Sequence, residues 1–258
     1  MLRWSYLYPL TSSDKSYYHE CSTKVGTKIW TAGRCQSNKI DLFEFDTETE
    51  TMKKYECCID CVEFNPILMT GDGDTLFIWM AKQYDPTRTV TLFKVSTTSF
   101  DSHKIVTIHV TEKPSNCIIT DNKMYIVVEN PGCELIVIDL LTEAVTRQKL
   151  DELGKQFFTV YSIMFHNKKL HIFEDVDDGF HRKVFRMENR ILEELSTDES
   201  GYELNGLELT PQVFHNGMIF KQYNAVLEAY NFETNKWDMI LRTIGLRTIL
   251  LGCYRFMK

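Results

Sequence analysis

The chain has 258 residues, a formal charge of −7, 43% hydrophobic and 25% charged residues. A domain of this size can bury roughly 75% of its unfolded surface and needs no staples to hold together. With only 12 Gly and 6 Pro it is neither fibrous nor disordered, and its mild negative charge offers no basic stripe for nucleic acid.

No apolar run reaches bilayer length, and residues 1–10 lack the basic-then-apolar layout of a signal peptide. The eight cysteines are scattered and no Asn-x-Ser/Thr acceptor occurs, so reduced thiols and a cytoplasmic or nuclear location are expected, with no membrane partner.

In chain order, residues 1–12 open with Leu2-Arg3-Trp4-Ser5-Tyr6-Leu7-Tyr8, which reads as a strand. Residues 20–60 contain Val25-Gly26-Thr27-Lys28-Ile29-Trp30, a tight turn followed by an apolar run. They continue to Leu42-Phe43-Glu44-Phe45, a strand closed by the polar turn Asp46-Thr47-Glu48-Thr49. The same two anchors return in residues 61–112 as Asp72-Gly73-Asp74-Thr75-Leu76 and Leu92-Phe93-Lys94-Val95-Ser96. Residues 113–156 carry Asp121-Asn122-Lys123-Met124 and Ile136-Val137-Ile138-Asp139. Residues 157–207 carry His166-Asn167-Lys168-Lys169-Leu170 and Val184-Phe185-Arg186-Met187, and residues 208–245 carry His215-Asn216-Gly217-Met218 and Leu227-Glu228-Ala229-Tyr230-Asn231. Residues 247–256 close with Thr248-Ile249-Leu250-Leu251, again strand-like.

With Ile29, Leu76, Met124, Leu170 and Met218 taken as equivalent, the spacings are 47, 48, 46 and 48 residues. The second anchor aligns Phe45, Val95, Ile138, Phe185 and Tyr230. Asn-Gly and its relatives accept the positive φ of a tight hairpin turn. Each repeat therefore reads as four strands, a to d, with hairpin turns between a and b and between c and d. Four short strands in about 47 residues make one propeller blade, whose two sheet faces are buried only against other blades. The expected fold is all-β, a single β-propeller over 1–258 with five visible blades. Residues 1–12 and 247–256 are expected to add closing strands of a reduced sixth.

The last repeat, Val213-Phe214-His215-Asn216-Gly217-Met218-Ile219-Phe220 followed by Ala229-Tyr230-Asn231-Phe232-Glu233-Thr234-Asn235-Lys236-Trp237, resembles a kelch repeat. Phe45-Asp46-Thr47-Glu48-Thr49 and Ile138-Asp139 echo it. The paired glycines usual after strand b are replaced by Met80-Ala81, Val128-Glu129, Glu174-Asp175 and Lys221-Gln222, so the repeats are diverged. The resemblance implies a scaffold or adaptor, or a ubiquitin-ligase substrate receptor, that binds a peptide or protein. No F-box or BTB region is expected ahead of repeats that begin by about residue 20, so a ligase role calls for a partner chain, or the chain is a divergent stand-alone copy.

Strand order places the a–b and c–d turns on one edge of the blades and the b–c and d–a connections on the other. Length varies on the second edge, where variable loops carry function on a constant scaffold. The candidate binding residues there are Arg34, Gln36, Gln83, Tyr84, Arg88, Phe180, His181, Arg182, Gln222 and Tyr223, since Tyr and Arg supply contact area and directional hydrogen bonds. Cys58-Ile59-Asp60-Cys61 lacks a second ligand pair, and Asp175–Gly179 lacks the downstream Glu of a calcium loop, so no metal and no cofactor are expected. No nucleophile elbow or phosphate loop occurs. A non-enzymatic interaction module is the expectation. The competing class, a propeller hydrolase such as a glycosidase, needs carboxylates on the central strands, whereas Thr159–Phe165 and Pro211–His215 hold none.

Overall fold

A computed structural model describes residues 19–34, 39–60, 64–82, 89–110, 114, 116–128, 133–150, 159–175, 181–189, 191–199, 213–215, 217–223 and 226–242. The expected closing strands at 1–12 and 247–256 lie outside these. Among the described residues every element is a β-strand, and the strands form five four-stranded antiparallel sheets, the blades of a β-propeller. The first sheet is β1 (His19–Val25), β2 (Lys28–Arg34), β3 (Lys39–Asp46) and β4 (Thr51–Asp60). The second is β5 (Phe64–Asp72), β6 (Thr75–Lys82), β7 (Thr89–Ser96) and β8 (Ser102–His109). The third is β9 (Asn116–Thr120), β10 (Lys123–Val128), β11 (Glu134–Asp139) and β12 (Val145–Lys149). The fourth is β13 (Thr159–His166), β14 (Lys169–Asp175), β15 (His181–Glu188) and β16 (Ile191–Glu199). The fifth is β17 (Val213–His215), β18 (Met218–Tyr223), β19 (Val226–Asn231) and β20 (Lys236–Arg242).

The chain divides into two compact units, Met1–Asn130 with Leu135–Arg147, and Pro131–Glu134 with Gln148–Lys258. The first contains the first two sheets and most of the third; the second contains the fourth and fifth.

In the first unit, middle strands are covered on both faces. Leu76 to Ala81 of β6 are all buried, so this strand reads as a continuous apolar run rather than an alternation. Ile40, Leu42, Ile78 and Met80 share one core that joins the first sheet to the second. Trp79, Leu92, Met124 and Ile136 share another that joins the second to the third. The first strand of each sheet lies beside its counterpart, β1 against β5 and β5 against β9. At Gly71 this approach leaves no room for a side chain, since a Cβ there would collide with Cγ2 of Val25.

One edge of the sheets is built from repeating turns. Asp121 and Asn122, and again Asn167 and Lys168, take positive φ at both turn positions, as a type I′ hairpin requires. On the same edge the c–d corners recur in four sheets. Asp46 Oδ1 accepts from the amides of Glu48 and Thr49 at 2.9 and 3.0 Å. Asp139 Oδ1 does the same for Leu141 and Thr142, Asn231 Oδ1 for Glu233 and Thr234, and Ser96 Oγ for Thr98 and Ser99. Four residues after each capping side chain comes a positive φ, at Glu50, Phe100, Glu143 and Asn235. The residue after each cap donates to a carbonyl of the neighbouring hairpin turn: Thr47 to Thr27, Thr97 to Asp74, Leu140 to Asn122 and Phe232 to Gly217. Side chains that bond their own turn in this way stabilise it locally. These amides also hold the Asp46 and Asp139 carboxyls below the usual carboxylate range.

Two alignments made from sequence are corrected by the pairing. Ile29 faces Phe45 and Leu76 faces Val95, but Leu170 faces Met187 and Tyr230 is faced by Ile219. Met187 and Ile219, not Phe185 and Met218, are thus the repeat equivalents. In the fourth sheet the shift accompanies a shorter corner, since only two residues separate β15 from β16. Ser102 faces Val95 as Met52 faces Phe45, so the second repeat keeps its spacing and only the residue type departs. Ile105 is then the unmatched residue of a bulge, and the bulge turns it into the core.

Candidate functional site

The edge opposite the repeating turns carries the b–c connections. They hold four residues between β2 and β3, six between β6 and β7, five between β10 and β11, five between β14 and β15, and two between β18 and β19. Gln36, Gln83, Tyr84, Arg88 and Phe180 fall in these connections, outside the described residues. Arg34, His181, Gln222 and Tyr223 are placed in the strands that flank them, at the ends of β2, β15 and β18.

Arg182 is placed differently from an exposed contact residue. It is the second residue of β15, 3% exposed, and faces Asp175 at the bridge that closes the 176–180 connection. Its Nη1 donates to Oε2 of Glu228 on β19, which is itself 6% exposed. The guanidinium also lies over the Trp237 ring, 4.6 Å from its centre. A guanidinium between a carboxylate and an aromatic face is among the few arrangements that make a buried cation tolerable.

Deeper in the same seam the packing is aromatic. Phe173 meets Tyr230 edge-on at 5.4 Å and Phe232 at 6.0 Å, and Trp237 tilts against Tyr230 at 5.4 Å. Edge-to-face rings of this kind add to the area they bury. Burial pushes the Tyr230 phenol up, while its hydroxyl donates to Asn235 Oδ1 at 3.1 Å. Toward the turn edge His166 stacks on Phe232 at 4.6 Å, and His171 meets the same ring at 4.9 Å. His171 Nδ1 lies 3.2 Å from the Lys169 carbonyl, which can only accept, so this nitrogen carries the proton. Burial lowers the His171 pKa to about 4.

The buried carboxylates of the first sheet are arranged otherwise. Glu44 meets Lys28 at 3.0 Å and Asp41 meets Lys54 at 2.7 Å, and both lysines are more than 40% exposed. Their charges reach solvent, whereas Arg182 and Glu228 are 3% and 6% exposed. Among the described residues no group of three His, Cys, Asp or Glu side chains is placed to hold a metal ion. Burial raises the Cys117 thiol well above its ordinary pKa, which leaves it a packing residue.

Sequence reasoning placed Arg182 on this edge but missed Glu228. The available signal was its position: the equivalent slots in three other sheets hold Phe43, Phe93 and Phe185, so a carboxylate there breaks the apolar pattern.

No family model matches the chain, and no curated protein matches it. Solved structures do. A Lactobacillus plantarum protein superposes with a TM-score of 0.55 at 13% identity, over 83% of this chain and 65% of its own. An acylaminoacyl peptidase of Pyrococcus horikoshii gives 0.53 at 12% identity, over 87% and 39%. YCF48 bound to D1 peptide gives 0.52 at 9% identity, over 86% and 66%. The chain thus spans less than two thirds of the length of each. At such identities the likeness is one of fold, a β-propeller.

Proposed function

We propose that the protein is a non-enzymatic interaction module of kelch type, an adaptor or substrate receptor, that binds a peptide or protein on its b–c and d–a edge. The observation that carries this reading is the contrast between the two edges. On the turn edge the same capped corner is repeated in four sheets, and its polar groups are satisfied within the chain. On the other edge the b–c connections run from two to six residues and hold Gln36, Gln83, Tyr84, Arg88 and Phe180, with Arg34, His181, Gln222 and Tyr223 at the strand ends beside them. A constant edge and a varied edge are what a scaffold with a recognition surface requires. A peptide-bound neighbour, YCF48, has the same fold, which adds an example of the fold in that role.

The test is capture from native lysate by the immobilised full chain, followed by mass spectrometry and a direct affinity measurement with the captured protein. Replacing Tyr84 and Arg88 with Ala is expected to weaken that affinity roughly tenfold or more, as aromatic and Arg anchors do at interfaces. Thr47→Ala with Thr97→Ala, on the turn edge, is expected to leave it unchanged. Equal loss from both pairs, or loss from the turn-edge pair alone, overturns the reading.

A further inference from the structure

Arg182 and Glu228 occupy two positions that sister sheets fill with apolar side chains. The bridge that places Arg182 opposite Asp175 corresponds to Arg34 opposite Ile40 and Ala81 opposite Val90, and both Ile40 and Val90 are fully buried. Glu228 faces Lys221 at the bridge where the other sheets set Phe43, Phe93 and Phe185. Apolar side chains are therefore what this framework places at both positions elsewhere. In their place stands an ion pair, 46 residues apart in sequence, that joins the fourth sheet to the fifth.

Desolvating two charges costs more than an apolar contact of similar volume, and their attraction returns that cost only when geometry is good. The pair is thus a poor means of stabilising the seam. What it supplies is direction: a carboxylate and a guanidinium meet in few orientations, whereas Ile against Phe slides. Its place in the chain gives that direction a target. Arg182 closes the root of the 176–180 connection, and Glu228, opposite Lys221, lies two bridges inside Tyr223–Val226, the pair that closes the 224–225 connection. The guanidinium carbon lies over the Trp237 ring, 4.6 Å from its centre.

We propose that Arg182 and Glu228 are positioning residues, which fix the roots of two neighbouring b–c connections relative to one another so that the edge of these two sheets presents one set surface to a partner. The inference rests on the interaction-module reading for its purpose but not for its test.

The experiment is hydrogen exchange with thermal unfolding on the full chain, comparing wild type, R182I, E228F and R182I/E228F, the last carrying the residues of the sister sheets. Each single variant breaks a buried ion pair from one side and is expected to lower Tm by about 6–20 °C. The double variant is expected to melt at or above the wild-type temperature. In it, peptides covering 174–184 and 221–229 are expected to exchange roughly tenfold faster, while those covering β6 and β10 keep their wild-type rates. R182M/E228M, closer in shape, replaces the double variant should that one not fold. A double variant as unstable as the singles overturns the proposal, because the pair then serves stability. So does a stable double variant with unchanged exchange, because then nothing was being positioned. Faster exchange with capture of the partner undiminished would support the positioning role and sink the interaction edge it was meant to serve.

Discussion

Neighbouring sheets meet by different chemistry in the two halves of the molecule. In the first unit each seam has a broad aliphatic part, Ile40, Leu42, Ile78 and Met80 in one and Leu92, Met124, Ile126 and Ile136 in the other, with the rings of Trp30, Tyr55 and Phe100 clustered beside the first and Trp79 within the second. In the second unit the seam between the fourth and fifth sheets runs from an ion pair at one edge, through four rings, to two histidines at the other. Aliphatic seams tolerate small shifts and are insensitive to pH. A seam of charge, rings and imidazole fixes orientation more sharply and carries titratable groups into the interior. One blade plan therefore supports both a structural joint and a directional one.

The largest effect should come from the first unit. Trp79 is fully buried in the core joining the second and third sheets. Trp79→Ala removes the largest apolar surface there and is expected to cost about 3–5 kcal/mol in denaturant unfolding, with the loss unaffected by pH between about 5 and 8. A loss below ~1 kcal/mol would mean that these sheets do not share a core.

The histidine end of the second unit should behave oppositely. The His171 pKa is lowered to about 4 from 6.5, first by burial, against the opposing bond to the Lys169 carbonyl, with smaller lowering from the neighbouring His166, Arg186 and Lys169 side chains. The unfolded state thus binds the proton more tightly. The contribution of this group is full above about pH 6.5, falls as pH drops, and is gone below about pH 4. The difference is on the order of 3 kcal/mol. His171→Leu should flatten the stability profile between pH 4 and 6.5, measured by urea unfolding at fixed ionic strength. An unchanged slope would show that His171 is not what titrates.

The repeats were readable from sequence because their turns are chemically demanding. Gly26, Gly73, Asn122 and Asn167 sit where φ is positive, and the caps Asp46, Asp139 and Asn231 sit where two amides need an acceptor. Few residue types satisfy those conditions, so the spacing survives divergence. The middle strands were harder. Val184 and Phe185 are adjacent and both buried, and Met187 follows beyond the half-buried Arg186, so the order of apolar residues does not say which of them fills the repeat position. The two-residue slip from Met187 to Phe185 follows from that. Arg182 was readable as a cation at a loop root. Its partner was not, since Glu228 lies 46 residues away and no local period links the two.

The smallest of these effects probes what makes the first unit tight at its inner strands. β5 comes so close to β1 at Gly71 that a methyl group there would strike Cγ2 of Val25, with Leu76 and the Thr75 carbonyl behind it. Gly71 has no positive φ, so glycine is present for space and not for backbone freedom. Gly71→Ala is then an overpacking change, expected to cost about 1–3 kcal/mol. The obstructing atom belongs to a short side chain that can be removed. Val25→Ala alone should cost about 1 kcal/mol or somewhat more through the space it leaves, and the two together should cost less than the sum of the singles because the new methyl partly fills that space. Strict additivity in the double variant would place the inner strands farther apart than this packing requires, and the contrast between a close-packed first unit and a directional second one would lose its physical basis.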